Sequence, residues 1–162
     1  MRALVRAFLG GVATVLIFAL FAGCGYSPVR PYSGRGFSLG VLRNSTDEPL
    51  LYRMMEDSLA EVAGLRRTDA PRKVSIVITE FSERAQTVSS QGDPVREELT
   101  LGFLWRIVGE DGKLLRKGKE RVARSYPWSS DINTLDWNRR AAIRLLSKDA
   151  ARALSDRLED QP

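Results

Sequence analysis

The only cysteine of this 162-residue chain, Cys24, stands in the stretch LFAGCGYSP, and the chain contains no histidine. Three uses of that thiol are open at this point: a buried structural group, a reactive nucleophile, or an attachment point. A disulfide within the chain is impossible. Without histidine there is no imidazole general base, no Ser-His-Asp triad and no imidazole metal ligand. Carboxylates remain as acid–base groups, 20 of them against 25 basic residues. They are scattered, with no pair that stands out, although pairing across a fold cannot be read from spacing. The expectation is a binding protein rather than an enzyme, with no metal and no dissociable cofactor.

The residues before Cys24 point to attachment. Arg2 and Arg6 precede an uncharged apolar run from Ala7 to Phe21, which ends in the small residues Ala22 and Gly23. That is the order of an export signal, charged start, apolar middle and small-residue cleavage site. As a membrane span the uncharged stretch would be at the short end of the roughly 17 to 25 residues required, so a retained anchor is the second choice. The ending resembles the lipobox of bacterial lipoproteins, with Phe21 where that motif usually has Leu and Leu20 one step earlier. The resemblance implies that Cys24 is the lipidation site, with diacylglycerol on its sulfur and an acyl chain on the new N-terminus. An ordinary signal peptide with a chance cysteine is the competing reading. Gly25 beside the cysteine, in place of Asp, resembles the outer-membrane sorting choice of enterobacterial lipoproteins.

Removal of residues 1–23 takes away Arg2 and Arg6 and leaves 23 basic residues (25 less 2) against 20 acidic ones, a mild positive balance. Nucleic acid is not an expected partner of an exported chain of that charge. Residues 24–36, with the sequence CGYSPVRPYSGRG, have the Pro, Gly and Ser content of a tether. Residues 37–158 then read as one domain, with a short tail at 159–162.

Within that domain, alternation and helical spacing predict six elements. A first strand over 37–43 places Phe37, Leu39 and Val41 on one face. Asn44, Ser45, Thr46 and Asp47 end it and offer capping oxygens to a helix over 48–63, whose stripe is Leu51, Met54, Met55, Leu59 and Val62 and whose stop is Gly64. A second strand over 73–84 puts Val74, Ile76 and Ile78 on one face and Val77 and Phe81 on the other. SSQGDP is a loop. The third strand, 97–108, alternates most strictly, through Leu99, Leu101, Phe103, Trp105 and Ile107. Asp111-Gly112 is suited to a hairpin turn into a basic fourth strand over 114–126. A last helix over 133–158 carries Ala142, Ile143, Leu146, Ala150, Leu154 and Leu158. The expected fold is α+β: a two-layer sandwich of a mostly antiparallel four-stranded sheet with two helices on one face, in the order β-α-β-β-β-α.

The fourth strand and its turn carry six cations in twelve residues: Lys113, Arg116, Lys117, Lys119, Arg121 and Arg124. Such a run could engage lipid phosphates through charge-assisted bonds. It could equally be a solvated edge whose charges discourage strand addition.

Taken together, GCGY, RNSTDEPLL, VSIVITEFS, LTLGFLWRIVGEDGKLL and SSDINTLDWNRRAAIRLLSKDAARAL resemble, in order and spacing, the LPS-assembly lipoprotein LptE family over nearly the whole chain from Cys24 to Leu158. The resemblance implies a non-enzymatic lipoprotein of the outer membrane that plugs the lumen of the β-barrel LptD. It also implies help in assembling that barrel and a part in delivering lipopolysaccharide to the outer leaflet. The family's basic lipopolysaccharide contacts fall near the loop between strands two and three and near the start of the last helix. Here those regions offer Ser89, Ser90 and Gln91, and Asn133 and Thr134, so the candidates become Arg84, Arg96, Lys113, Arg116, Lys117 and Lys119. A second resemblance, in the strand, polar cap and helix opening, is to lipoproteins that activate a peptidoglycan synthase.

Overall fold

The computed structural model describes residues 36–159; Cys24, the signal segment at 1–23 and nearly all of the tether lie outside the described residues. The elements are β1 (Phe37–Asn44), α1 (Leu50–Val62), β2 (Arg72–Val88), β3 (Pro94–Val108), β4 (Leu114–Pro127) and α2 (Ile132–Glu159). They form one four-stranded sheet in the order β1-β2-β3-β4. β1 pairs with β2 in parallel, which requires the crossover that α1 supplies, while β2–β3 and β3–β4 are antiparallel hairpins. Both helices cover the same face: Leu51, Met55 and Leu59 of α1 and Ile143, Leu146, Ala150 and Leu154 of α2 join Val74, Ile76, Ile78 and the β3 row in one core. The expected α+β sandwich, its element order and its mostly antiparallel sheet are what the chain adopts.

Period-two alternation fails where the strands bulge. In β1 the register shifts between Leu39 and Leu42, so Leu42 enters the core at 6% exposure and Val41, expected beside Leu39, is 55% exposed. The bulge sits at Gly40, where a Cβ would lie 3.0 Å from the Ser75 hydroxyl. In β2 an extra residue, Thr79, falls between Ile78, opposite Phe103, and Glu80, opposite Gly102. The bulge turns Phe81 onto the helix face opposite Leu101, instead of the far face predicted for it, and the Arg139 guanidinium lies 5.8 Å from its ring centre. Val77 stays on the far face. Bulges of this kind add one residue and re-aim everything beyond them.

The loop into α1 also departs from expectation. Asn44 is consumed in folding the loop itself: its Oδ1 accepts from the Thr46 amide at 3.0 Å, and its Nδ2 donates to the Glu48 carbonyl at 2.7 Å. Pro49 occupies the capping position and offers no side-chain bond; the Leu50 amide donates instead to the Glu48 carboxylate at 3.1 Å. Gly64 ends α1 with φ of 62°, as a left-handed C-terminal residue does. At α2 the Asp131 carboxylate accepts the Thr134 amide at 3.0 Å, a regular N-cap.

The β2–β3 hairpin runs beyond both predicted strand ends, to Val88 and from Pro94. Its outer residues mix polar side chains with the exposed Val88 and Val95 and so carry no alternation to read. The turn is closed by the Ser89 amide donating to the Asp93 carbonyl at 2.7 Å, with the Ser89 hydroxyl accepting from the Asp93 amide at 3.2 Å.

Trp105 is the largest side chain of the β3 row and is 4% exposed. It fits because Gly118 faces it on β4. A Cβ on Gly118 would lie 2.5 Å from the indole ring, closer than any real contact, so the ring rests on bare backbone. Gly118→Ala should therefore lower stability by about 1–3 kcal/mol through overpacking, read as an earlier urea midpoint with unchanged slope; an unchanged midpoint would show that the indole can shift freely.

Candidate functional site

Strand alternation divides the charges of the sheet into two populations. On β3 and β4 the residues facing the helices are Glu97, Leu99, Leu101, Phe103, Trp105 and Ile107, paired with Tyr126, Arg124, Val122, Glu120, Gly118 and Arg116. On the other face no element among the described residues covers Arg96, Glu98, Leu104, Arg106, Lys117, Lys119 and Arg121. Register lines up Arg43, Val77, Leu104 and Lys119 across all four strands, with Ser75, Arg106 and Lys117 in a neighbouring row. At about 4.8 Å between strands, Arg43 and Lys119 stand about 14 Å apart. Between them lies an apolar pair, half-buried Val77 and Leu104 at 44% exposure. Two cations of this face are paired in place, Arg84 with Glu98 at 2.6 Å and Arg121 with Glu80 at 2.8 Å. Arg43, Lys73, Arg106, Lys117 and Lys119 make no ion pair among the described residues. The result is an open surface with an apolar centre and a cationic surround.

Of the six candidate residues, the fold brings Lys117 and Lys119 together on this face, with Arg84 and Arg96 farther along it. Arg84 is engaged by Glu98. Lys113 sits in the β3–β4 turn, 3.2 Å from Asp111. Arg116 points the other way: it lies 5.7 Å from the Trp105 ring centre and donates to the Arg157 carbonyl at 3.2 Å. Arg43, Lys73 and Arg106 belong to the face and were not singled out in the sequence. Arg106 was within reach, since it occupies the complementary phase of the Leu99–Ile107 alternation; Arg43 and Lys73 come from strands that only topology makes neighbours.

The helix-facing side holds a second polar constellation. Tyr126, 3% exposed, donates its hydroxyl toward both the Glu83 and Glu97 carboxylates. Arg139 of α2 bridges Glu83 at 3.0 Å and Glu48 at 2.7 Å. One chain of bonds thus ties the α1 entry, α2, β2, β4 and β3. Burial and then the two carboxylates push the Tyr126 phenol far above its usual range. Burial alone would raise the Glu83 carboxyl, but the bonds from Tyr126 and Arg139 outweigh it and hold it below the usual carboxylate range. Three carboxylates, a phenol and a guanidinium engaged with one another make a structural tie. Among the described residues no group of three His, Cys, Asp or Glu side chains is placed to hold a metal ion.

In fold, the chain is similar to solved bacterial lipoproteins. Rare lipoprotein B from Shewanella oneidensis matches with a TM-score of 0.54 at 13% identity, over 75% of this chain and 93% of that one. A lipoprotein B from Nitrosomonas europaea matches with a TM-score of 0.53 at 14% identity, over 84% and 94%. A minor lipoprotein from Acinetobacter baumannii matches with a TM-score of 0.50 at 16% identity, over 78% and 97%. At these identities the likeness is one of fold. No protein-family model and no curated protein matches the sequence.

The Tyr126 tie has a definite pH signature. A lowered Glu83 contributes stability that is present above its unfolded value of about 4.3 and is lost as pH falls through the folded value; a raised Tyr126 contributes stability that is complete below about pH 10 and declines above it. Tyr126→Phe should cost about 1–3 kcal/mol near neutrality and flatten the alkaline loss, measured as urea midpoints across pH. An equally steep alkaline loss in the variant would place that titration elsewhere.

Proposed function

We propose that this chain is an LptE-like outer-membrane lipoprotein, held by diacylglycerol and an N-acyl chain on Cys24, that plugs the LptD barrel, assists its assembly and takes part in lipopolysaccharide delivery. It acts by binding and has no catalytic step. The observation that carries the reading is the open sheet face. A four-stranded sheet with helices on one side leaves the other to water unless a partner covers it, and here that side combines Val77 and Leu104 with five cations that have no ion partner among the described residues. An enclosing lumen would give such a face polar surroundings, and a phosphorylated amphiphile would match it twice. Its phosphates would accept charge-assisted bonds from Arg43, Arg106, Lys117 and Lys119, and its acyl chains would meet the apolar centre. The lipoprotein folds reported above and the resemblance along the whole domain support the same reading.

Affinity purification of the tagged protein from outer membranes should recover a large β-barrel in equimolar amount; recovery of a peptidoglycan synthase in its place would overturn the proposal. Arg106→Glu with Lys117→Glu and Lys119→Glu should weaken lipopolysaccharide binding by about tenfold or more at low salt, with the difference shrinking as salt rises. Binding that is indifferent to these reversals would remove the open face from the lipid contact.

A further inference from the structure

β4 is an edge strand, and the direction of its backbone groups follows from one bond. The Trp128 amide donates to the Val95 carbonyl at 3.1 Å, and the β3–β4 register continues from that pair without a shift as far as Ile107 and Arg116. In an antiparallel ladder the pairs that exchange bonds alternate with pairs that do not. Tyr126, Arg124, Val122, Glu120, Gly118 and Arg116 therefore bond to β3. Lys117, Lys119, Arg121 and Ala123 aim N–H and C=O outward, and all four are exposed. Among the described residues no backbone bond from another segment reaches those outward groups. The opposite edge is less open: in β1 the Leu39 amide donates to the Arg66 carbonyl at 2.8 Å, and the Gly40 carbonyl accepts from Arg67 at 3.3 Å.

The two sides of this edge differ in chemistry. Toward the open face stand the exposed Lys117 and Lys119, with Arg121 held by Glu80 at 2.8 Å. Toward the helices, Arg116, Glu120 and Arg124 are drawn up to α2, by the Arg157 carbonyl at 3.2 Å, the Arg157 guanidinium at 2.9 Å and Asp149 at 2.6 Å. On the same flank α2 carries Leu145, 44% exposed. It lies one turn before Asp149 and two turns after Asn138, whose Nδ2 donates to the Pro127 carbonyl at 3.1 Å. A leucine thus stands in water above the edge. A strand laid along β4 would meet cations on one side and an apolar side chain on the other. A second copy of β4 would bring lysines against lysines, which opposes pairing. Nor does the segment before the fold fit: residues 25–36 contain no acid and two prolines.

We propose that the β4 edge receives an extended segment of a partner protein, antiparallel to β4, in which acidic and apolar residues alternate. It is recognition by strand addition: backbone bonds hold the segment and alternate side chains select it. Directly opposite residues of an antiparallel pair exchange both bonds and share a face, so acids opposite Lys117 and Lys119 are also the residues whose amides and carbonyls bond there. The apolar residues between them turn to the helix side and cover Leu145. Lysines on an edge turn strands away in general; here the same lysines admit a strand of opposite charge. The inference goes beyond the plug reading and stands without it; under that reading the segment is a loop of the enclosing barrel. An ammonium has three donors, so a carboxylate at the edge and a phosphate on the open face can share Lys117 and Lys119.

The test uses the full-length protein, made and acylated in a bacterial host and held in detergent micelles, with a fluorescein-labelled nine-residue peptide alternating glutamate and valine as the probe. Fluorescence anisotropy should show this peptide binding about tenfold or more tighter than one of the same composition with its glutamates and valines in separate blocks. Ala123→Pro removes one outward N–H and no bond to β3, at a place where an edge strand accepts proline. It should weaken the alternating peptide by about tenfold or more, while Ala123→Ser leaves binding unchanged. N-methyl groups on the glutamate amides of the peptide should cost as much with the protein unaltered, which separates a lost edge from a misfolded variant. No binding, equal binding of the alternating and block peptides, or indifference to the N-methyl groups overturns the proposal. So does a concentration-dependent dimer that Ala123→Pro abolishes, since it gives the edge to a second copy. Lipopolysaccharide should bind Ala123→Pro as it binds the unsubstituted protein. Failure of the peptide with lipopolysaccharide binding intact overturns the edge and leaves the function proposed above standing; loss of lipopolysaccharide binding with the peptide retained does the reverse.

Discussion

The row Leu99, Leu101, Phe103, Trp105 and Ile107 is the contact on which the rest of the domain depends. All five side chains are at or below 4% exposure, and at about 1.5–3 kcal/mol for each large apolar side chain buried they form the largest coherent block of hydrophobic stabilisation in the chain. β3 lies inside the sheet, flanked by β2 and β4, so its row decides which face the helices must cover. Once α1 and α2 lie on that face, no further element among the described residues is left to lay on the other. The open face is thus a consequence of how the core is built. The use proposed for it follows from which residues were left there.

Charge follows the same division. Cations whose side chains point toward the helices are engaged: Arg124 with Asp149 at 2.6 Å, Arg139 with Glu48 and Glu83, Lys148 with Glu61 at 2.7 Å. A pair as exposed as Lys148–Glu61 contributes about 0–1 kcal/mol and orients α2 along the sheet more than it holds it down, whereas Arg139 meets a Glu48 side chain that is only 9% exposed. The effect of these pairs on the rest of the surface is larger. Most of the acidic partners lie toward the helices, and the face away from them keeps a surplus of positive charge on a chain whose overall balance is only mildly basic.

Much of this architecture was legible in the residues. The α2 stripe from Ala142 to Leu158 predicted its helix nearly to the residue and the β3 alternation its buried row and its end at Val108, because each is a periodic signal generated by one-sided burial; the Asp-Gly turn was legible from its backbone chemistry. Bulges were not legible. Nothing in SLGVL or VITEF marks Gly40 or Thr79 as supernumerary, since the bulge is a property of the pairing and not of either strand alone. The basic fourth strand shows a different limit. Read as a run it is one cationic patch; read with period two it separates into Arg116 and Arg124 inward and Lys117, Lys119 and Arg121 outward. The Tyr126 constellation assembles residues from five segments, Glu48, Glu83, Glu97, Tyr126 and Arg139, and its polar members give no sign in the sequence that they will meet.

The parallel pairing of β1 has a mechanical side. β1 is an edge strand, held in the sheet by a single ladder to β2, and it is the strand that continues directly into the N-terminal segment. A pull arriving through Gly36 along the strand axis loads that ladder in shear, so that its bonds from Phe37 to Asn44 resist together. A pull across the sheet would open them one after another, as a zipper does. Attachment through the end of an edge strand is therefore strong in one direction and weak in another.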